Sequence, residues 1–317
     1  MIGASRSRPA SDPPSIGPGR GEPIGLIAGW GTYPVVIARA LKQGGHSIRC
    51  LGVKGHAAKE LESICDVYRP IGLAKLGGAI RFFRREGVRR ATMAGKIHKV
   101  LLFRRFAWIH HFPDWTCFRT FYPHWIARSR DRKDDTLLGT IVDAYAQSGI
   151  EFAPATDFAP ELLIQAGRWS GRPVSNGQWR DIVFGWRMAK ELGRLDVGQC
   201  VAVKGQAALA VEAIEGTDAC IRRAGQLCPS GGFTVVKVAK PRQDMRFDVP
   251  TIGIGTLTTL RESGGKTLAI EADRTILLDR EAVIAFANRH GITIVAVTAN
   301  DADELPADPP RVLRGPW

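Results

Sequence analysis

Asp244, Arg246 and Asp248 alternate with Met245, Phe247 and Val249 in the stretch KVAKPRQDMRFDVPTIG, Lys237 to Gly253. Pro250 disfavours helix at the residue before it, so an extended chain is expected here. In an extended chain side chains alternate between faces, which puts both carboxylates and the guanidinium on one side. Two acids flanking an arginine, with Lys237 and Lys240 upstream, suit a divalent cation and a phosphorylated ligand together. The plainer reading is a surface strand with its charges in water.

Three further places carry residues of chemical interest. Gly29, Trp30, Gly31, Thr32 and Tyr33 precede Pro34 between an apolar run and a helical one. Backbone N–H groups in such a turn can hold a phosphate at a helix N-terminus. The pattern is G-x-G-x-x-P, so the third glycine of the dinucleotide fingerprint is missing. Val53-Lys54-Gly55-His56 stands where an NAD site has an acid, which argues against NAD and leaves a phosphate or nucleotide role open. Gly95 and Lys96 end another strand-like run, at the edge of an open α/β sheet that lines a ligand crevice. Glu212, Gly216, Thr217 and Asp218 lie in AVEAIEGTDACIRR, where Gly216 can end one helix and Thr217 cap the next. A helix start of that kind can also offer Thr217 and Asp218 to sugar hydroxyls or a metal. Capping leaves Glu212, inside an apolar run, without an explanation.

The elements that must position these residues follow a strand–helix rhythm. In the first half IGLIAG (24–29), SIRCLGV (47–53), VRRATMAGKI (88–97) and IEFA (150–153) read as strands. PVVIARALKQGG (34–45), LAKLGGAIRFFRREG (73–87) and DTLLGTIVDAYAQSG (135–149) read as helices, the last capped by Asp134 or Asp135. Such alternation implies a parallel sheet with helices on both faces. Residues 154–180 have weak periodicity and read as the inter-domain connection. In the second half RDIVFGWRMAKELG (180–193), AALAVEAIE (207–215) and DACIRRAG (218–225) read as helices, and QCVAVKG (199–205) as a strand. TLAIEA and RTILLD read as adjacent strands, Asp279 as the cap of the helix REAVIAFANRHG, and ITIVAV as a last strand. The expected fold is α/β: an N-terminal Rossmann-like parallel-sheet domain, residues 23–165, and a distinct C-terminal α/β domain, residues 166–300. Residues 1–22 and 301–317 read as flexible tails rich in Pro and polar residues.

A length of 317 residues suits two domains. No apolar run approaches a membrane span, and the N-terminal segment lacks the apolar core of a secretory signal. Six cysteines without C-x-x-C spacing suggest neither zinc nor a redox motif and fit a reduced, cytoplasmic protein. The net charge of +13 points to nucleic acid, an anionic membrane surface or a phosphorylated substrate. Residues 98–133 combine His98, His110, His111 and His124 with Trp108, Trp115, Tyr122, Trp125 and many arginines. This composition suits a membrane interface or single-stranded nucleic acid, and equally a helical hairpin with a solvated basic face.

Taken in order, IAGWGTYP, MAGKI, DDTLLGTIVDAYAQSGIEF, LDVGQCVAVKGQAALAVEAIEGTDACIRR and KVAKPRQDMRFDVPTIG resemble UDP-2,3-diacylglucosamine pyrophosphatases of the LpxI type. The likeness runs from Ile24 to Val297, and EGTD and QDMRFDVPTIG carry most of its specificity. It implies hydrolysis of the pyrophosphate of UDP-2,3-diacylglucosamine to UMP and 2,3-diacylglucosamine 1-phosphate (lipid X), a step of lipid A synthesis. Water attacks the α-phosphate with the help of Mg²⁺ or another divalent cation such as Mn²⁺. It further implies two domains enclosing the lipid, a homodimer, and a cytoplasmic protein peripheral on the inner membrane.

Carried onto this chain, the resemblance makes Asp244 and Asp248 the catalytic and metal-binding candidates, with Arg246 beside them, and leaves open which aspartate is essential. Thr217 and Asp218 are expected at the substrate, together with Gly29, Trp30, Gly31, Thr32, Gly95, Lys96, Glu212 and Lys237. Trp30 stands where the family often has glycine, and the aromatic-basic stretch is heavier than usual. Two other readings compete. One is a binding protein for nucleotide-sugars or lipid phosphates that does not turn them over. The other is a nucleic-acid module, which rests on net charge alone and has no sequence-specific motif behind it.

Overall fold

The computed structural model describes residues 21–96, 113–126, 134–241, 243–247, 249–299, 308, 310 and 313; side chains of 121–126 and 134–137 are not described. Among the described residues, the N-terminal unit holds a five-stranded sheet of order β3-β2-β1-β4-β5, and every pairing in it is parallel. Its strands are β1 (Pro23–Ala28), β2 (Ser47–Val53), β3 (Val67–Ile71), β4 (Arg90–Ala94) and β5 (Glu151–Phe152). Helices α1 (Tyr33–Gln43), α2 (Leu61–Ile64), α3 (Leu76–Arg85), α4 (Trp115–Ile126) and α5 (Asp134–Ala146) belong to the same unit.

Alternation along β1 explains the layering. Ile24, Leu26 and Ala28 are fully buried against Ile37, Ala38 and Leu41 of α1. Ile27 turns the other way, toward Phe82 and Phe83 of α3 and Tyr145 of α5. The expected Rossmann-like sheet is therefore present. Its order reverses between β1 and β4, which places the crevice at the carboxyl ends of those two strands.

Short elements α6 (Ala155–Phe158) and a 3₁₀ turn at Pro160–Leu162 lead into the second unit. Its six-stranded sheet has the order β6-β13-β11-β9-β7-β8. These strands are β6 (Gly167–Ser170), β7 (Cys200–Lys204), β8 (Ala207–Val211), β9 (Thr234–Lys237), β11 (Thr267–Glu271) and β13 (Thr293–Val297). Strands β9, β11 and β13 run parallel, while β6, β7 and β8 each pair antiparallel. Trp179, Ile182, Trp186 and Ala189 of α7 (Asn176–Arg194) cover one face through Val201, Val203, Val236, Ala269 and Val295. The opposite face packs on α8 (Thr217–Leu227), α9 (Ile254–Glu262) and α10 (Arg280–Arg289). No described helix is long and apolar enough to cross a membrane.

Several expectations need correction. Residues 207–211 form strand β8, not helix. Gly205 and Gln206, at φ 58° each, make a two-residue hairpin turn, and Asp181 of α7 accepts both of their N–H groups at 3.2 and 2.6 Å. A turn with both central residues at positive φ matches strand twist, and the distant carboxylate makes it tolerable for glutamine. The supposed connection at 154–180 is structured: β6 pairs with β13, and α7 starts at Asn176 through a capping box of Ser175 and Gln178. RTILLD does not lie beside TLAIEA; β12 (Ile276–Leu277) pairs with β10 (Thr251–Ile252) in a separate two-stranded sheet. Asp279 precedes α10 with φ 51° and makes no side-chain cap. Thr217 is the first residue of α8, and its cap position is Gly216.

Gly95 joins the two strand ends of the N-terminal crevice. It has φ +96°, and a Cβ there would lie 2.7 Å from Cγ of Pro34 and 2.9 Å from the carbonyl carbon of Gly29. Gly95→Ala is expected to destabilise the protein by about 2 kcal/mol or more, read as a lower urea midpoint with unchanged slope.

Candidate functional site

The glycine turn and the Gly95–Lys96 turn form one structure. Gly29 N donates to Ala94 O at 2.8 Å, Trp30 N to Lys96 O at 2.8 Å, and Lys96 N to Trp30 O at 2.9 Å. Trp30 and Lys96 thus make an antiparallel bridge across the ends of β1 and β4. Gly31, at φ +108°, turns the chain into α1, and Thr32 sits at the cap position without a side-chain cap. The Thr32 carbonyl accepts from Val35 and Val36, each at 3.0 Å. Trp30 is 50% exposed beside this turn. Gly29, Trp30, Gly31, Thr32, Gly95 and Lys96 therefore stand together at the switch point of the parallel sheet.

Glu212, Thr217 and Asp218 gather at the opposite unit, where β8 hands over to α8. Glu212 is 8% exposed and its Oε1 accepts from Thr217 Oγ1 at 2.8 Å, while Oε2 accepts from Gln199 N at 3.3 Å. The buried carboxylate thus braces the first turn of α8 against the start of β7. Asp218 is half-buried in that first turn, where a negative charge suits the helix dipole. Lys237 ends β9, is 9% exposed, and reaches Thr251 O at 3.4 Å.

The stretch after β9 departs from the expected extended chain. Phe247 N donates to Asp244 O at 3.1 Å, and Arg246 N donates to Asp244 Oδ1 at 3.0 Å. An aspartate that accepts from the N–H two residues on mimics a backbone turn, and this local bond shapes residues 244–247, which the restriction of Pro250 on Val249 does not reach. Arg246 then folds back on the same carboxylate, with Nε at 2.9 and 3.1 Å and Nη2 at 2.6 Å. Asp248 and Arg242 lie outside the described residues, so the one-sided trio of Asp244, Arg246 and Asp248 is described only for the first two.

Burial works to raise the Asp244 carboxyl, but the hydrogen bonds and charge of Arg246 prevail and hold it below its ordinary value. Arg246 is pushed up in turn by its bond to Asp244, and Asp143 of α5 adds to that. Phe247, partly buried, packs against the N-terminal cluster to which Phe83, Val142 and Tyr145 belong, with the Arg246 guanidinium 5.1 Å from its ring centre. The turn of the second unit is thereby seated on the first.

Two groups that sequence reasoning passed over lie at the run that leads to this turn, where Ala239 N donates to Glu271 Oε2. Glu271 ends β11 and Lys190 lies on the inner face of α7; the pair is 4% and 5% exposed, with Nζ 2.9 and 3.1 Å from the carboxylate oxygens. A lone acid closing the apolar run TLAIE, and a lysine between Trp186 and Gly193 on a helix's buried stripe, were the available signals. Of the aromatic-basic stretch, α4 is described: Trp115 is 75% exposed and stacks on Phe118 at 5.8 Å. His98, His110 and His111 lie outside the described residues. Among the described residues no group of three His, Cys, Asp or Glu side chains is placed to hold a metal ion.

Since the folded Asp244 carboxyl is depressed, its stabilising pair is complete above the ordinary carboxylate range and is lost as pH falls through the folded value. Replacing Arg246 by Gln is expected to raise the Asp244 midpoint, because burial is then opposed by the backbone N–H of residue 246 and no longer by the guanidinium. Carboxyl ¹³C titration by NMR measures it; an unmoved midpoint contradicts the pairing.

Both halves of the chain match known domains. Residues 23–162 match the LpxI N-terminal domain and residues 165–295 the LpxI C-terminal domain. The chain is also 30% identical over 296 residues to the Caulobacter vibrioides protein named UDP-2,3-diacylglucosamine pyrophosphatase LpxI, which covers 89% of this chain and 99% of that one. With both domains in order and the relative matched end to end, this chain belongs to the LpxI family.

Proposed function

We propose that this protein is a hydrolase that cleaves the pyrophosphate bond of UDP-2,3-diacylglucosamine, releasing UMP and 2,3-diacylglucosamine 1-phosphate in lipid A synthesis. The observation that carries this reading is the near-complete match to a pyrophosphatase of that name, joined to an ionised, turn-held Asp244 with an arginine on it.

A pyrophosphate diester repels a nucleophile with its own charge, so the site must supply cations without neutralising itself first. The Asp244–Arg246 pair meets that need by exchange. Each partner is about one-third exposed, at 30% and 37%, and each can trade the other for a ligand of opposite sign. An anionic phosphoryl group competes for the Arg246 guanidinium, whose planar fork suits phosphate oxygens. A divalent cation competes for the Asp244 carboxylate.

The donor chemistry fits Mg²⁺. Its sites use one or two carboxylates plus substrate phosphates and waters rather than an all-protein cage, and Asp244 offers ionised, hard oxygens. Asp244 and Asp248 would hold the ion. Bound there, it would withdraw charge from the phosphoryl oxygens and acidify the attacking water. Arg246 then stabilises charge that builds on the α-phosphate as water attacks.

The remaining residues bind. Thr217 and Asp218 face the sugar phosphate, with Glu212 fixing the Thr217 hydroxyl. The joined turns of Gly29, Trp30, Gly31, Thr32, Gly95 and Lys96 receive the nucleotide portion, and Lys237 adds positive charge at the end of β9. A net charge of +13 and a lipid substrate support a cytoplasmic protein peripheral on the inner membrane, and the family resemblance is the ground for a homodimer.

Purified protein supplied with UDP-2,3-diacylglucosamine and Mg²⁺ is expected to release UMP, and EDTA to stop it. In H₂¹⁸O the label should enter UMP, as attack at the α-phosphate requires. Tight binding without turnover under Mg²⁺ or Mn²⁺ would contradict the hydrolase and favour a binding protein.

A further inference from the structure

The turn that carries Asp244 hangs from the end of β9 by a short run, Val238 to Gln243. Val238 N donates to Gln199 O at 3.1 Å, and further bonds hold the residues after it. Lys240 Nζ pairs with Asp196 Oδ1 at 2.6 Å on the half-exposed edge. Gln243 Oε1 accepts from Lys240 N at 2.9 Å, and Gln243 N donates to Lys240 O at 3.0 Å. Below them, Ala239 N donates to Glu271 Oε2 at 2.7 Å, and this bond is buried. Glu271 comes from the neighbouring parallel strand, and its carboxylate is held from the other side by Lys190 of α7. The helix comes close here: a Cβ on Gly193 would lie 3.2 Å from the Lys240 Cα.

A buried ion pair is a poor device for stability alone. Desolvating both charges offsets much of their attraction, and apolar replacements of similar volume often match it. Burying a carboxylate does serve direction, since it fixes one acceptor at one point for a charge-assisted bond. The acceptor meets the backbone five residues before Asp244, at the carboxyl edge of β9 and β11, where ligands of such sheets bind.

We propose that Lys190 and Glu271 are positioning residues for the reaction: Lys190 fixes Glu271, and Glu271, through the Ala239 N–H, sets where the Asp244–Arg246 turn stands. This rests on the hydrolase reading above. Neither residue touches substrate. The pair acts on the turnover step rather than on binding, because a displaced Asp244 spoils the reacting geometry more than the affinity of a large substrate.

Two charge-free variants separate positioning from mere stability. Lys190→Met/Glu271→Gln keeps an oxygen acceptor for Ala239, while Lys190→Met/Glu271→Met keeps the volume and removes the acceptor. Assays run well below both melting points. The glutamine variant is expected to keep kcat within about threefold of wild type, and the methionine variant to lose about 10- to 100-fold in kcat with KM nearly constant. Amide exchange of peptides spanning 238–249 should be faster in the methionine variant. Equal kcat and equal exchange in the two variants would overturn the proposal. If the wild type releases no UMP, the hydrolase reading fails, and the exchange comparison still decides whether Glu271 holds the turn.

Discussion

The loop after β9 depends on a single carboxylate having two occupations. Asp244 accepts a backbone N–H from Arg246, which makes the turn, and accepts the Arg246 guanidinium, which keeps it ionised. The first occupation gives the loop its shape without help from a sheet. The second sets two opposite charges side by side in a partly dry place. Around them the protein supplies rigidity from below, through β9, β11 and α7, and a seat from the side, through Phe247 in the N-terminal layer.

The two units contribute different physics. The N-terminal parallel sheet makes a crevice by reversing strand order between β1 and β4, and narrows it by tying the two strand ends together at Trp30 and Lys96. Close backbone approach at Gly29 and Gly95 leaves no room for a side chain. The C-terminal sheet places buried polar groups at its carboxyl edge: Lys237, Glu212 and Glu271 each end or follow a strand and each holds a backbone or hydroxyl group elsewhere. Joining the units through the Phe247 turn makes the position of Asp244 a property of both.

Much of this was legible in the amino-acid sequence where local preference and tertiary structure agree. The N-terminal strands and helices were readable because each buried face repeats at two or 3.6 residues and glycines close the helices. The glycine turn and the Gly95–Lys96 turn were readable as strand ends, but the bridge between them was not. Reading failed where a distant residue decides the local conformation. Strand β8 is rich in alanine, which favours helix, but the Asp181-supported turn at Gly205 and Gln206 folds it back on β7. The conformation at Asp244 was misread because an aspartate side chain can build a turn that spacing does not show. Glu271 and Lys190 were invisible as a pair because 81 residues separate them.

The proposed dependence of hydrolysis on the Asp244 carboxylate is tested directly by kcat for UMP release by Asp244→Asn. The amide keeps an oxygen acceptor for the Arg246 N–H but not the charge, so the variant is expected to fold as wild type does. Turnover should fall by about 10³-fold or more at saturating substrate and Mg²⁺. A folded Asp244→Asn protein that turns over at the wild-type rate would contradict that dependence.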